Sequence, residues 1–363
     1  MLLWIWYELS NLRFSTPRNK IGRNHGYKPI PISKLELTFA NVKHLSDQVC
    51  VYPQPDQLIF RGRKTYLIRQ LREIAAEVTK TPFPKAFVLE NPLDEEYVDH
   101  ESVVIKREYS ECGDHVFLPS RIRQKEDDAA SSRKEDLKAM VSRTKRYYKF
   151  PELKNLGVVP QWFMVPYLDT VRDLGELRAY FFAGRLRYVL HTDLTTSLSD
   201  EGRAAGMVYL ADIAVGITPL DCLRYVENRL SALAWADYGL PSSKNPEQYE
   251  QKVWKIANST LPKALQNRGM EEFTSFVTKT FEALVFKDEA ALTEWTDYRI
   301  FCRLDVAVLP LPGGRYAWYV NELECSANAG LGINENFAGG EHFGIPTDLA
   351  MALRSYASVN RRS

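Results

Sequence analysis

Paired cysteines are missing from this chain. Its five cysteines (Cys50, Cys112, Cys222, Cys302, Cys325) are odd in number and widely spaced, with no Cys-x-x-Cys. That excludes a zinc knuckle or a disulfide framework and suits a reducing, cytoplasmic compartment. Six histidines are scattered without a His-x-x-x-His spacing, so a histidine-based metal site is not expected. An excess of charge is missing too. The 47 Lys and Arg nearly balance 46 Asp and Glu, a formal net charge of +1, which gives no global case for a nucleic acid or an anionic membrane as partner. Long hydrophobic runs are absent. Met1 to Tyr7 is apolar but stops at Glu8, too short to span a bilayer and without a basic start or a small-residue cleavage site, so it reads as a strand or packed start. A Gly-x-x-x-x-Gly-Lys-Ser/Thr phosphate loop is lacking as well. What remains, 45% hydrophobic and 26% charged over 363 residues, is the composition of a globular protein of one large or two to three ordinary domains.

Residues 1–60 carry short strand-like runs such as Leu35-Glu36-Leu37-Thr38-Phe39. From Arg61 a helical period begins, with Tyr66, Leu67, Leu71, Ile74, Ala75 and Val78 on one face. Thr81-Pro82-Phe83-Pro84 stops it, and Ala86 to Leu89 reads as a strand. Ser102 to Lys106 is a second strand that delivers a lysine at its end. A polar loop from Arg107 to His115 follows, with Gly113 inside it, and then Val116-Phe117-Leu118. Such a hairpin can lie over a polyphosphate, with Lys106 as point charge and loop amides as donors, or Lys106 can simply snorkel from a strand end. Residues 121–149 hold ten Lys or Arg against five acidic residues and read as a solvated loop running into a charged helix. Val158 to Tyr167 is an apolar strand ending in Pro166. It is either plain core or an edge whose Met164 and Val165 backbone groups are open to an adenine ring. Glu176 to Val189 is a hairpin turning at Ala183-Gly184. Glu176 and Arg178 share a face, and either pair with each other or hold a ribose and a phosphate. Residues 193–296 read as mostly helical, the clearest helix being Glu271–Val285 with Phe273, Phe276, Val277, Phe281, Leu284 and Val285 on one stripe.

The most informative stretch is Arg303 to Gly332. Two apolar runs flank Pro312-Gly313-Gly314 and predict a β-hairpin. Arg303 and Asp305 share a face, as do Glu322 and Glu324. If the strands pair across the turn, three carboxylates and a guanidinium stand together among apolar residues. Either that face is solvated, or a hard cation such as Mg²⁺ supplies the counter-charge.

In their order these elements resemble the ATP-grasp superfamily. The resemblance runs over roughly residues 61–340 and implies an α+β fold in which two α+β subdomains hold ATP between antiparallel sheets, here with a mostly helical insertion. The implied division is an N-terminal region at 1–60, a small subdomain with the phosphate-covering loop at 61–165, and a large subdomain with the metal site at 166–192 and 297–345. The insertion is 193–296 and the C-terminal tail 346–363. Lys106 matches the lysine before the phosphate-covering loop that contains Gly113, and Lys64 matches a second phosphate lysine. Gln161 to Val165 look like the adenine hinge, with Met164 and Val165 bonding the base through their backbone. Glu176 and Arg178 match the acidic-x-Arg strand, Asp305 and Glu322 match two metal carboxylates, and Glu324 stands where many relatives carry Asn, an amide that Asn321 could partly replace. Arg303 stands where related ligases place an arginine facing the acyl intermediate.

The implied activity is an ATP- and Mg²⁺-dependent (or Mn²⁺-dependent) ligase joining a small carboxylate to an amine or thiol through an acyl phosphate, with amino acids or peptides among the substrates. Arg303 and Lys106 are its expected catalytic residues, and neither nucleic acid nor membrane is an expected partner. Phosphoryl transfer needs positioning and charge neutralisation more than a histidine base. A small-molecule kinase on the same scaffold, or a nucleotide-binding scaffold whose helical insert binds a protein, are the alternatives.

Overall fold

Helix α1 (Leu35–Ser46) forms where alternation predicts a strand. Phe39 is buried while Leu37 is 62% exposed, so the alternation is not used for burial. The chain follows the helical step from Phe39 to Val42 and Ser46 instead. A computed structural model describes residues 2–4, 34–94, 102–109, 116–119, 135, 137–139, 141–142, 151–174, 176–192, 205–208, 268–292, 296–312, 315–325 and 345–359. They fall into two compact units, Met1–Ile68 with Lys85–Tyr167 and Arg361–Ser363, and Arg69–Pro84 with Leu168–Asn360.

In the first unit, β1 (Leu2–Trp4) pairs in parallel with β2 (Cys50–Tyr52), so these three residues of the apolar start form a strand. Helix α2 (Pro55–Arg61) opens with proline at its first turn. Gly62 and Arg63 then lead into α3 (Lys64–Ile74), of which residues 64–68 belong to this unit; from Arg69 the helix, its π-helical end Ala75–Thr79 and the left-handed Lys80 belong to the second unit. Strands β3 (Phe87–Leu89), β4 (Val103–Arg107), β5 (Val116–Phe117) and β6 (Trp162–Pro166) form an antiparallel sheet in the order β3-β6-β4-β5. A short helix, α4 (Pro151–Asn155), precedes β6. One sheet face carries Leu89, Ile105, Phe117 and Trp162, and Leu137 and Val141 pack on it. The charged stretch 121–149 is therefore not wholly solvated: its helical positions at 137 and 141 supply core. The basic cluster Arg143 to Lys149 lies outside the described residues.

In the second unit, α5 (Asp169–Leu174) leads into β7 (Glu176–Phe182) and β8 (Arg185–Thr192), which turn at Ala183-Gly184 with φ of 49° and 75°. Strand β9 (Ala205–Val208) adds to β8, so the stretch 193–296 contains a strand of the main sheet as well as helix. Helix α6 (Arg268–Leu292) follows the predicted Phe-rich stripe. The segments around 219–233 and 245–250 lie outside the described residues. A 3-10 turn (Asp297–Arg299) leads to β10 (Phe301–Leu311), β11 (Arg315–Cys325) and finally α7 (Ile345–Val359), a packed helix where the sequence suggests only a tail. Its Ala352 and Tyr356 are buried. The sheet order is β11-β10-β7-β8-β9.

The pairing register divides this sheet into two unlike faces. Leu177, Ala179, Phe181, Cys302, Leu304, Val306, Val308, Trp318, Val320 and Leu323 share one, all apolar and buried. Helix α6 covers it, with Phe281 stacked on Phe181 at 4.2 Å between centroids and Phe273 edge-on to Trp318 at 5.2 Å. The other face carries the charged residues. Cysteines 50, 302 and 325 are free thiols.

Candidate functional site

The charged face is built by the central strand β10 and its two neighbours. Arg303 stands opposite Glu324 of β11 and Tyr180 of β7, and Asp305 stands opposite Glu322 and Arg178. Directly opposed residues project to one side of a sheet, so all six share a face. The register depends on an irregularity. From the turn as far as Val306–Val320 the pairing runs without a shift, but Asp305 pairs with Glu322, leaving Asn321 as an extra residue. Without this bulge Asp305 would oppose Asn321, and both glutamates would project into the apolar face under α6.

Arg303 and Asp305 are 4% and 1% exposed, so at these positions the face is not solvated. Arg303 Nε and Nη2 donate to Asp305 Oδ1 and Oδ2 at 2.6 and 2.8 Å, a two-bond fork. Burial opposes the guanidinium charge, yet Asp305 and then Tyr180 hold Arg303 well above its ordinary pKa. Arg178 Nε lies 3.8 Å from Asp305 Oδ2. The ion pair of Arg178 is thus with Asp305, not with Glu176 two residues before it. Glu176 is buried and accepts from Asn321 Nδ2 at 2.6 Å across β10. Burial first, then the Asp305 charge, push its carboxyl above the usual range. Tyr319, beside it, is raised by burial and by Glu176. The Nδ2 of Asn321 is thus engaged by Glu176.

Among the described residues, no group of three or more His, Cys, Asp or Glu is gathered to hold a metal by itself. The donor chemistry fits a different arrangement. Mg²⁺ carried on phosphates takes only one or two protein carboxylates and completes its octahedron with phosphate oxygens and water. Asp305 has both oxygens on Arg303, but a carboxylate offers about four lone-pair sites, so the fork leaves acceptor capacity. Glu322, half-buried opposite it, is the natural second donor.

In the first unit, Lys106 lies in β4 opposite Phe163 and Val116, half-buried, on the sheet face that also carries Val104, Val165 and Gln161. Met164 projects to the other face and packs on the Leu89–Ile105–Phe117 core. Its strand is not an edge: β6 lies between β3 and β4, with Met164 between Phe87 and Ile105. Pairing with β3 stops there, so Val165 and Pro166 run past it. The backbone of Gln161 is engaged at both groups, its C=O by Glu108 N–H at 2.9 Å and its N–H by Glu108 Oε2 at 3.0 Å. Lys64 is the first residue of α3. Gly113 lies outside the described residues.

No family model matches the chain, and no curated protein matches it. Solved structures do resemble it. D-cycloserine synthetase DcsG superposes with a TM-score of 0.44 at 12% identity, over 90% of this chain and 82% of its own. The ATP-grasp ligase PsnB complexed with minimal precursor superposes at 0.39 and 13% identity, over 88% of this chain and 69% of its own. The chain is similar in fold to ATP-grasp ligases. PsnB with a phosphomimetic variant of minimal precursor, Mg and ADP gives 0.38 at 13% identity, over 90% and 68%. The charged face is defined by its own register and contacts.

Two groups were not legible as site residues. Tyr180 joins the face because it pairs with Arg303. Glu108 sits in what reads as a polar loop, yet it is 3% exposed and continues the β4–β6 ladder one step past the strand. The parity it shares with Lys106 is the one sequence signal that points to it.

Proposed function

We propose that the protein is an ATP- and Mg²⁺-dependent carboxylate–amine (or –thiol) ligase of the ATP-grasp type. The observation that carries this is the registered face Arg178, Arg303, Asp305, Glu322 and Glu324, where opposite charges are set among apolar strands at two successive levels of one sheet face. Asp305 and Glu322 would hold Mg²⁺, which would neutralise charge on the phosphates. Lys106, with Lys64, supplies positive charge to the phosphate oxygens. A substrate carboxylate oxygen bonds to the γ-phosphorus as the bond to ADP breaks. The amine or thiol then adds to the acyl carbon and the acyl–phosphate C–O bond breaks, the departing phosphate taking up the nucleophile's proton. Arg303 faces the oxygen on which negative charge develops. Both steps depend on positioned cations in a water-poor site rather than on a general base. Val165, on the Lys106 face of β6 and past the end of β3, with Gln161 on the same face, borders the base.

The Arg303–Asp305 fork favours a second reading, a nucleotide-binding scaffold without turnover, because it commits the arginine to a structural partner. An ADP-release screen over amino acids, dipeptides and small carboxylic acids, with product masses measured, separates the two. ADP, phosphate and a new amide or thioester support the ligase. ADP with a stable phosphorylated product indicates a kinase, and Mg·ATP binding without ADP release under any substrate indicates the scaffold.

A further inference from the structure

Helix α3 begins Lys64-Thr65 with no acidic residue in its first turn. A helix N-terminus with free N–H groups favours a nearby carboxylate, and here one arrives from another element. Glu108, two residues after Lys106, reaches the helix from the end of β4. Its Oε1 accepts the backbone N–H of Thr65 at 3.1 Å and also the Thr65 hydroxyl. Its Oε2 accepts the backbone N–H of Gln161, and its own N–H donates to the Gln161 carbonyl. Tyr109 secures the same junction. It adopts φ of 51°, donates its N–H to the Gly62 carbonyl at 3.0 Å and its hydroxyl to the Ile59 carbonyl at 3.0 Å.

One buried carboxylate thus ties together the start of α3, the end of β4 and the entry to β6. Lys64 adjoins its first partner, Lys106 precedes it by two residues on the same sheet face, and Gln161 is its second partner. We infer that Glu108 is a positioning residue that sets the two lysines for the phosphates, an inference that rests on the nucleotide reading above. A carboxylate needed only to cap a helix would stabilise the fold without discriminating between ligands. One that sets the lysines makes the value of Lys106 depend on it.

The experiment uses the full chain and calorimetric binding of Mg·ATP and of adenosine to wild type, Lys106→Ala, Glu108→Gln and the double variant, with melting curves recorded without nucleotide. Folded Glu108→Gln is expected to lose about tenfold in Mg·ATP affinity and no more than about threefold for adenosine, the scale of one lost charge-assisted hydrogen bond. In the Glu108→Gln background, Lys106→Ala should then cost much less than it does in wild type. Unchanged Mg·ATP binding, equal losses for both ligands, or losses that multiply independently with those of Lys106→Ala would overturn the inference. If Glu108→Gln does not fold, Thr65→Val decides, since it removes the hydroxyl and keeps the N–H bond: it should weaken Mg·ATP more than adenosine, and unchanged Mg·ATP binding refutes the assignment. Wild type that binds no Mg·ATP overturns the nucleotide reading and this inference together. Wild-type binding that depends on Lys106 but not on Glu108 overturns this inference alone.

Discussion

Arg303 and Asp305, two residues apart on β10, are joined by two hydrogen bonds of 2.6 and 2.8 Å, and both are almost fully buried. Side chains at this spacing on a strand lean the same way, so the fork is local to one strand and does not hold the sheet together. What it does is neutralise a buried carboxylate on a sheet whose other face is apolar. Arg178, on the neighbouring strand β7, adds a second positive charge 3.8 Å away.

Removing one member of such a pair leaves the other charge buried. Arg303→Met should therefore destabilise the fold by about 3–5 kcal/mol, the usual cost of an uncompensated buried ion. The double variant Arg303→Met/Asp305→Leu should recover at least half of that loss, because an apolar pair removes the stranded charge. Urea unfolding of the three proteins measures both quantities. A single variant within about 1 kcal/mol of wild type would show that Arg178 alone suffices for Asp305.

Glu176 gives the protein a defined pH dependence. Its carboxyl is raised in the folded state, by burial and then by Asp305, so between the ordinary carboxylate value and its raised value the folded chain binds more protons than the unfolded one. Stability from this group is then present at acid pH and lost as pH rises through that window. Glu176→Gln retains an acceptor for Asn321 Nδ2 and has no charge to bury. Wild type should lose stability relative to this variant as pH rises through the window, and the difference should level off above it. A difference that is flat with pH in denaturation curves would remove Glu176 from this role.

The two-faced hairpin was legible because period-2 alternation is robust: Arg303 and Asp305 have to share a side, as do Glu322 and Glu324. That the two pairs share the same side is as expected, but the reason was not legible. It rests on the one-residue bulge at Asn321, and nothing in Val320-Asn321-Glu322 announces it. The hinge strand shows the opposite limit. Its apolar run is visible, but whether it is an edge depends on the remote segment Phe87–Leu89, which pairs with it. Leu35 to Phe39 fails for a third reason. Five alternating residues fit a strand, but the next seven continue at helical spacing, and the longer period wins.

Gly62 is required for space rather than for backbone freedom. Its φ of −71° is open to any residue, but a Cβ there would lie 2.0 Å from Tyr109 Cδ1. The ring cannot swing aside easily, because its hydroxyl is tied to Ile59 and its backbone to Gly62. Gly62→Ala should cost about 1–3 kcal/mol, the range for overpacking. In a Tyr109→Ala background the same change should cost less than about 1 kcal/mol, a coupling that melting or urea curves of the four proteins would reveal. Equal costs in both backgrounds would show that the junction gives way elsewhere.

The register also ranks the two glutamates of β11. Glu322 stands opposite Asp305, so a cation bound there can reach two carboxylates at one level. Glu324 stands opposite Arg303 and helps to raise its pKa, so a cation bound there would meet the guanidinium. A metal brought by ATP should therefore depend on Glu322 far more than on Glu324. In thermal melts, wild type at a hundredfold excess of Mg·ATP over its dissociation constant should gain about 2.7 kcal/mol, and the part of that gain removed by EDTA reports the metal. Glu322→Gln should lose the EDTA-sensitive part entirely, whereas Glu324→Gln should keep most of it. If Glu322→Gln shows the wild-type shift with Mg·ATP, the carboxylates of this face do not hold the metal. If Glu324→Gln is the more damaged of the two, the cation is bound one level along the strands, opposite Arg303.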